Sequence, residues 1–167
     1  FVNTISYATY LMLFAYDFDP VKFGFDNDNN NAPDILEEAK IGLDWLLRAN
    51  YGRQKIVIQV QDLQDHDQGW RLPENDELAN NRPAYVGISK NVIGIYSAAL
   101  ALGARIWTQK FNYLEYAAKC LVAAEEVYDL RNSAPDVDGT GSGFYLDKNY
   151  EGKLALAAIE LYEILNK

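Results

Sequence analysis

Apolar residues recur at helical spacing in five places along the chain. Residues 1–16, "FVNTISYATYLMLFAY", are apolar nearly all round, which predicts a helix buried on every side. The chain opens already inside this pattern with no capping residue, so it is expected to be a piece cut from a larger domain. The second helix starts at "NNAPDILEEAK", where Pro33 suits a first helical position and Asp34, Glu37 and Glu38 complement the positive end of the helix dipole. Its stripe is Leu36, Ala39, Leu43, Leu46 and Leu47, and Gly52 is its stop. A strand-like run, "KIVIQV", then leads into a long polar loop over 61–87.

Three further helices follow. That over 89–108 carries Gly94, Ala98, Ala101 and Gly103, small residues that let neighbouring helices approach closely. The helix over 112–130 places Leu114, Ala117, Ala118, Leu121, Ala124 and Tyr128 on one face, and that over 150–166 does so with Leu154, Ala157, Ala158, Leu161 and Tyr162. Helices joined by long polar loops predict an all-α array of helical hairpins forming one piece over 1–167. No fixed-period repeat links them, which disfavours a solenoid.

Composition narrows the functions open to such a fold. Of the 167 residues 49% are hydrophobic and 13% aromatic, with twelve tyrosines, enough for a packed core. A net charge of −9 argues against nucleic acid or an anionic membrane as partner, since phosphate binding needs clustered Lys and Arg. Neutral polyols and cations remain. Cys120 stands alone inside an apolar helical pattern, so it reads as a small core residue rather than as half of a disulfide. No apolar stretch reaches membrane-spanning length, and no signal-peptide pattern is visible.

Candidate chemistry lies in two loops. "QVQDLQDHDQGWRLPEND" holds the single histidine, His66, with Trp70 four residues on and carboxylates at Asp62, Asp65, Asp67 and Glu74. An indole offers a flat apolar face and an imidazole a hydrogen-bonding edge, a pairing that suits a sugar ring; the competing reading is that both brace their own loop. On composition alone the acids could also supply an acid–base pair. The second loop, "DNDNNNAPDILE", puts Asp26, Asp28, Asn30, Asp34 and Glu37 at positions 1, 3, 5, 9 and 12 of a calcium loop, with the Ala32 carbonyl available at position 7. Asn31 stands where glycine is usual, a tolerable exchange because Asn visits the left-handed region. Pro33 departs from the pattern, and an acidic helix start is the alternative. A weaker match runs through Asp136, Asp138 and Asp147 in "DVDGTGSGFYLD".

"NAPDILEEAKIGLDWLLRAN" resembles the "IPDILDEA…WLL" helix of glycoside hydrolase family 9. The order continues collinearly through "QVQDLQDHDQGWRLPE", "NNRPAY", "ALALGARIW", "YLEYAAKCLVAAEEVYDL" and "GTGSGFYLDKNYEGKLALAAIELYEIL". The resemblance implies part of an (α/α)6 barrel and a secreted, extracellular cellulase-type enzyme that cleaves β-1,4-glucan with inversion. It places the catalytic base, an aspartate, upstream of residue 1 and the acid, a glutamate, beyond Lys167, so no catalytic residue is expected within the chain. Asp19-Pro20 and the residues after it echo the aspartate motif, but on the wrong side of the first helix. It further implies a substrate-binding rim of His66, Trp70, Arg82 and Tyr85, the last two from an R-P-x-Y match, although Arg82 equally suits a brace paired to a carboxylate. Possible Ca²⁺ is the one cofactor implied, and Gly152-Lys153 stands where many relatives carry an Asp-Glu pair that supports calcium. β-Glucan and the remainder of the catalytic domain are the partners implied. The alternatives are a non-catalytic carbohydrate-binding relative and a helical scaffold.

Overall fold

The computed structural model describes residues 1–52, 55–61, 63–78, 81–137 and 147–166. Its helices are α1 (Val2–Phe18), α2 (Asp34–Ala49), a short α3 (Leu63–Asp67), α4 (Lys90–Gln109), α5 (Leu114–Tyr128) and α6 (Glu151–Leu165). Two strands, β1 (Ile56–Val60) and β2 (Ala84–Gly87), and two 3₁₀ turns, Pro73–Asn75 and Asp129–Asn132, are the other regular elements among the described residues. The predicted all-α class and all five long helices are present.

α1, α4 and α6 run in the same direction. Lys153 Nζ donates to Asn3 Oδ1 at 2.8 Å and Tyr10 OH donates to Glu160 Oε1 at 2.9 Å, both contacts spanning 150 residues. A constant offset over two turns is possible only for parallel helices. α2 runs against them: Leu43 packs at Gly103, while the Leu46 carbonyl, farther along α2, accepts from Tyr96 OH, earlier along α4. α5 likewise begins beside the end of α4, and its last residue, Tyr128, donates to the Leu154 carbonyl near the start of α6. Three parallel helices thus form one layer and two antiparallel helices cover it.

α4 is the centre of this arrangement, buried along nearly all of Asn91–Trp107. Its glycines permit the packing. A Cβ on Gly94 would stand 2.5 Å from the Lys153 carbonyl carbon, and one on Gly103 would stand 2.7 Å from Leu43 Cδ1. The sequence pattern had assigned full burial to the first helix instead. α1 in fact buries Val2, Ser6, Thr9, Tyr10, Leu13 and Tyr16 and leaves Tyr7, Leu11, Phe14 and Phe18 exposed. An all-apolar helix has no polar face to mark its solvent side, so periodicity could not distinguish the two situations. In α6 the expected stripe is rotated: Ala158 and Tyr162 are exposed, and Glu160 is buried.

The stretch expected to be loop up to residue 87 ends instead in β2, which pairs antiparallel with β1 in the register Ile56↔Gly87 and Val60↔Ala84. The pair is irregular between Val57 and Gln59. The Gln61 N–H bonds to the Pro83 carbonyl at 2.9 Å, closing the loop at its neck and delivering the chain to the start of α4. Strand pairing therefore holds both ends of the loop that carries His66 and Trp70.

Candidate functional site

Within this loop, α3 ends where the Gly69 N–H bonds back to the His66 carbonyl, with Gly69 left-handed at φ 71°. Trp70 follows and is 88% exposed. A closed ring of two arginines and two aspartates fixes the surrounding backbone. Arg71 Nε and Nη2 donate to Asp76 Oδ1 at 3.0 and 2.9 Å, and Nη2 also reaches Asp65 Oδ1. Arg82 Nε and Nη2 donate to Asp65 at 2.9 and 3.1 Å, and Nη2 donates to Asp76 Oδ2 at 2.5 Å. The hydrogen bond from Arg82, then that from Arg71, holds the Asp65 carboxyl well below the usual range, at about 2. Asp76 is lowered too, first by Arg82. Both acids are ionised and each of their oxygens accepts from an arginine, so neither is suited to move a proton.

The sequence-predicted rim residues thus have different situations. Trp70 and His66 are exposed on one short span. Arg82 is engaged as the brace that the sequence allowed, its guanidinium shared between Asp65 and Asp76. Tyr85 sits in β2, opposite Gln59 at the neck, partly buried against the core. Asp67 and Glu74 are exposed, and Asp62 lies outside the described residues. Arg71 and Asp76 were missed. They lie within a few residues of Trp70, and an acid and a base flanking an exposed aromatic could have signalled a clamp.

The acidic loop folds around its own amides. Asp26 accepts from the N–H groups of Asn30 (3.2 Å) and Asn31 (2.8 Å), and Asp28 Oδ1 accepts from Asn30 N–H. Asn30 Nδ2 donates to Asp28 Oδ2 at 3.0 Å and to Glu37 Oε1 at 2.7 Å. Asp34 instead accepts from the Asn27 N–H. Asn31 is left-handed at φ 71°, as its substitution for glycine requires. The structure therefore gathers Asp26, Asp28 and Glu37 about Asn30 and sets Asp34 on the flank. Among the described residues no three His, Cys, Asp or Glu side chains form a group that could hold a metal ion. At the second acidic stretch, Asp136 pairs with Lys90 and Asp147 with Lys153, while Asp138 lies outside the described residues.

A further polar cluster joins the parallel helices. Arg105 on α4 reaches Asp17 on α1 at 2.9 and 3.2 Å and Glu160 on α6 at 3.1 Å, and Glu160 also accepts from Tyr10. It is a structural tie that the sequence did not reveal. Cys120 is fully buried, and burial pushes its thiol up to about 12, as befits an inert core residue.

The model of the Glycosyl hydrolase family 9 matches residues 1–167. The chain belongs to that family. Endoglucanase D of Acetivibrio thermocellus is 29% identical to it over 159 residues, covering 91% of this chain and 24% of the relative. This family 9 chain thus spans about a quarter of the length of that relative. Among solved structures, a metagenome-derived glycoside hydrolase family 9 endoglucanase superposes with a TM-score of 0.75 at 26% identity, over 100% of this chain and 31% of that one. The cellulase Cel9M of C. cellulolyticum superposes with a TM-score of 0.82 at 24% identity, over 100% of this chain and 39% of that one. Cel9M has also been solved with cellobiose. The parallel and antiparallel layers of this family 9 chain are therefore part of an (α/α)6 barrel.

Proposed function

We propose that the chain is one part of the catalytic domain of a secreted β-1,4-glucan hydrolase acting with inversion, and that loop 61–83 is its substrate-binding rim. The observation that carries this is Trp70, 88% exposed between residues whose positions the Arg71–Asp76–Arg82–Asp65 ring holds. An indole presented on a pre-set backbone loses little freedom when a pyranose C–H face stacks on it. His66 beside it supplies a hydrogen-bonding edge for hydroxyls. Tyr85 at the neck and Arg82 within the ring complete the rim, the arginine by positioning rather than by contact.

Inversion needs one carboxylic acid to protonate the leaving oxygen and one carboxylate to activate water on the opposite face. With Asp65 and Asp76 tied to arginines, the loop's function is to hold the chain, and the proton-transferring pair belongs outside residues 1–167. The exposed apolar faces of α1 (Tyr7, Leu11, Phe14, Phe18) and α6 (Ile159, Tyr162, Leu165) support further hairpins packing on either side. Among the described residues no helix is long and apolar enough to cross a membrane. For Ca²⁺ at Asp26, Asp28, Asn30, Asp34 and Glu37, the support is an all-oxygen donor set and the left-handed Asn31. Binding would require the Asn30 amide to turn its oxygen inward and the loop to tighten.

The test is titration with cello-oligosaccharides. Trp70→Ala should weaken binding about tenfold, the loss of a stacking face of roughly 1–1.5 kcal/mol. Unchanged binding in both Trp70→Ala and His66→Ala would leave them as loop braces and favour the scaffold reading.

A further inference from the structure

A cavity of about 560 Å³ opens at the other end of α4, between the two covering helices. Its floor and one wall are aromatic: Trp107, Phe111, Tyr113 and Tyr116. The facing wall is the turn Asn30–Ala32 with Glu37 and Lys40 of α2. The sugar rim feeds the start of α4 at Lys90, and the cavity lies at its end near Trp107. The twenty residues between these two ends make α4 about 30 Å long at 1.5 Å each. We propose that this cavity is a second carbohydrate site, taking a short neutral glucan segment apart from the rim.

Four observations support it. Tyr113 is 63% exposed and stands at 64° to the Trp107 indole, so the two rings do not cover each other and a tyrosine face is available for stacking. Lys110 Nζ and the Asn31 side-chain amide line the cavity without a hydrogen-bond or ion-pair partner among the described residues, leaving donors and an acceptor for hydroxyls. The turns at the cavity contain three of the four non-glycine residues with positive φ among those described: Asn29 (59°), Asn31 (71°) and Asn112 (55°). Such conformations gather where a chain is shaped for a ligand. Finally, every wall comes from this chain, in contrast to the open flanks of α1 and α6.

The charges select the ligand class. Glu37 is negative, Lys110 is positive, and Lys40 is already paired with Asp44 at 2.7 Å while lying 4.5 Å from the Tyr116 ring centroid. An ionic ligand gains no net attraction from this lining. A neutral ring with an apolar face and a hydroxyl rim satisfies both the aromatic floor and the mixed polar edge. The choice of glucan among neutral sugars rests on the function proposed above; the site itself does not.

The test is calorimetric titration of the complete catalytic domain that carries this chain with cellotetraose, at a temperature where turnover is negligible, in four forms: unaltered, Trp70→Ala, Tyr113→Ala and Lys110→Glu. The expected result is two binding events. Trp70→Ala should remove one, while Tyr113→Ala weakens the other about tenfold or more. Lys110→Glu, at an exposed and unpaired position, should weaken that same event without lowering Tm, which guards against a folding defect in Tyr113→Ala. A single event abolished by Trp70→Ala and untouched by the other two changes would overturn the second site and leave the rim standing. Binding unaffected by Trp70→Ala but lost in Tyr113→Ala would uphold the second site and overturn the rim. No binding by the unaltered domain would overturn both.

Discussion

Arg71 Nη1 donates to the Gly69 carbonyl at 3.1 Å, so one guanidinium holds the residue before Trp70 while its other nitrogens anchor Asp65 and Asp76. The backbone that carries the exposed indole is thereby held from both sides. Arg71→Lys keeps the charge but cannot reproduce the fork. It should weaken cello-oligosaccharide binding severalfold, leave far-UV circular dichroism unchanged, and broaden the Trp70 indole N–H resonance. An unaltered resonance and affinity would show that the ring does not orient Trp70.

The same ring predicts an acid transition confined to the loop. Asp65 titrates at about 2 in the folded loop, and Asp76 is shifted in the same direction. A carboxyl with a depressed folded pKa adds stability above its unfolded value and loses it as pH falls through the folded one. The loop should therefore hold from neutral pH down to about 4, the range of an unfolded aspartate. It should open between there and about pH 2, followed by the Trp70 indole resonance. Asp65→Asn should move the opening to higher pH.

Calcium at the acidic loop is checked by melting. With Ca²⁺ at one hundred times its Kd, mass action raises stability by about 2.7 kcal/mol. Asp26→Ala combined with Asp28→Ala should remove that gain, so that this variant melts at the same temperature in calcium and in chelator. Equal Tm values for the unaltered chain in calcium and in chelator would remove the ion from the loop.

Gly94→Ala tests the close packing of α4 on α6. The new methyl would stand 2.5 Å from the Lys153 carbonyl carbon, backbone that cannot turn aside. The helices must separate, at a cost of about 1–3 kcal/mol, and Tm should fall by several degrees. Gly152→Ala, with open space around it, should instead be neutral or mildly stabilising.

Legibility from sequence followed physical range. Helix α2 was readable because its face repeats every three to four residues, with Leu36, Ala39, Leu43 and Leu46 all buried, and Asn31 because it has a local backbone meaning. In α5 the expected face was only partly right: Ala117 and Ala124 are buried, but Leu114 and Ala118 are exposed and Cys120 and Val127 take their place. Pro33 stands one residue before the first helical position expected of it, as the N-cap. Arg82 could be read as a brace, since a loop guanidinium near acids needs a partner. Which acids it took, Asp65 seventeen residues away and Asp76 six away, depends on the path of the loop. β2 was invisible because four residues are too few to show alternation. The burial of Glu160 was unreadable because its reason, Arg105, lies 55 residues away on another helix.

The two bonds that join α1 to α6, Asn3–Lys153 and Tyr10–Glu160, each bridge 150 residues. Closing a span of that length from a disordered chain costs about 4 kcal/mol in chain entropy, whereas α4 and α5 are joined by a short turn. The α4–α5 hairpin is therefore the natural nucleus, and the two side-chain bonds between the first and last long helices form late, after both have docked on α4. Contacts made after the transition state set how fast a protein comes apart rather than how fast it assembles. Lys153 and Glu160 thus act as a latch on unfolding, governing how long the folded chain persists.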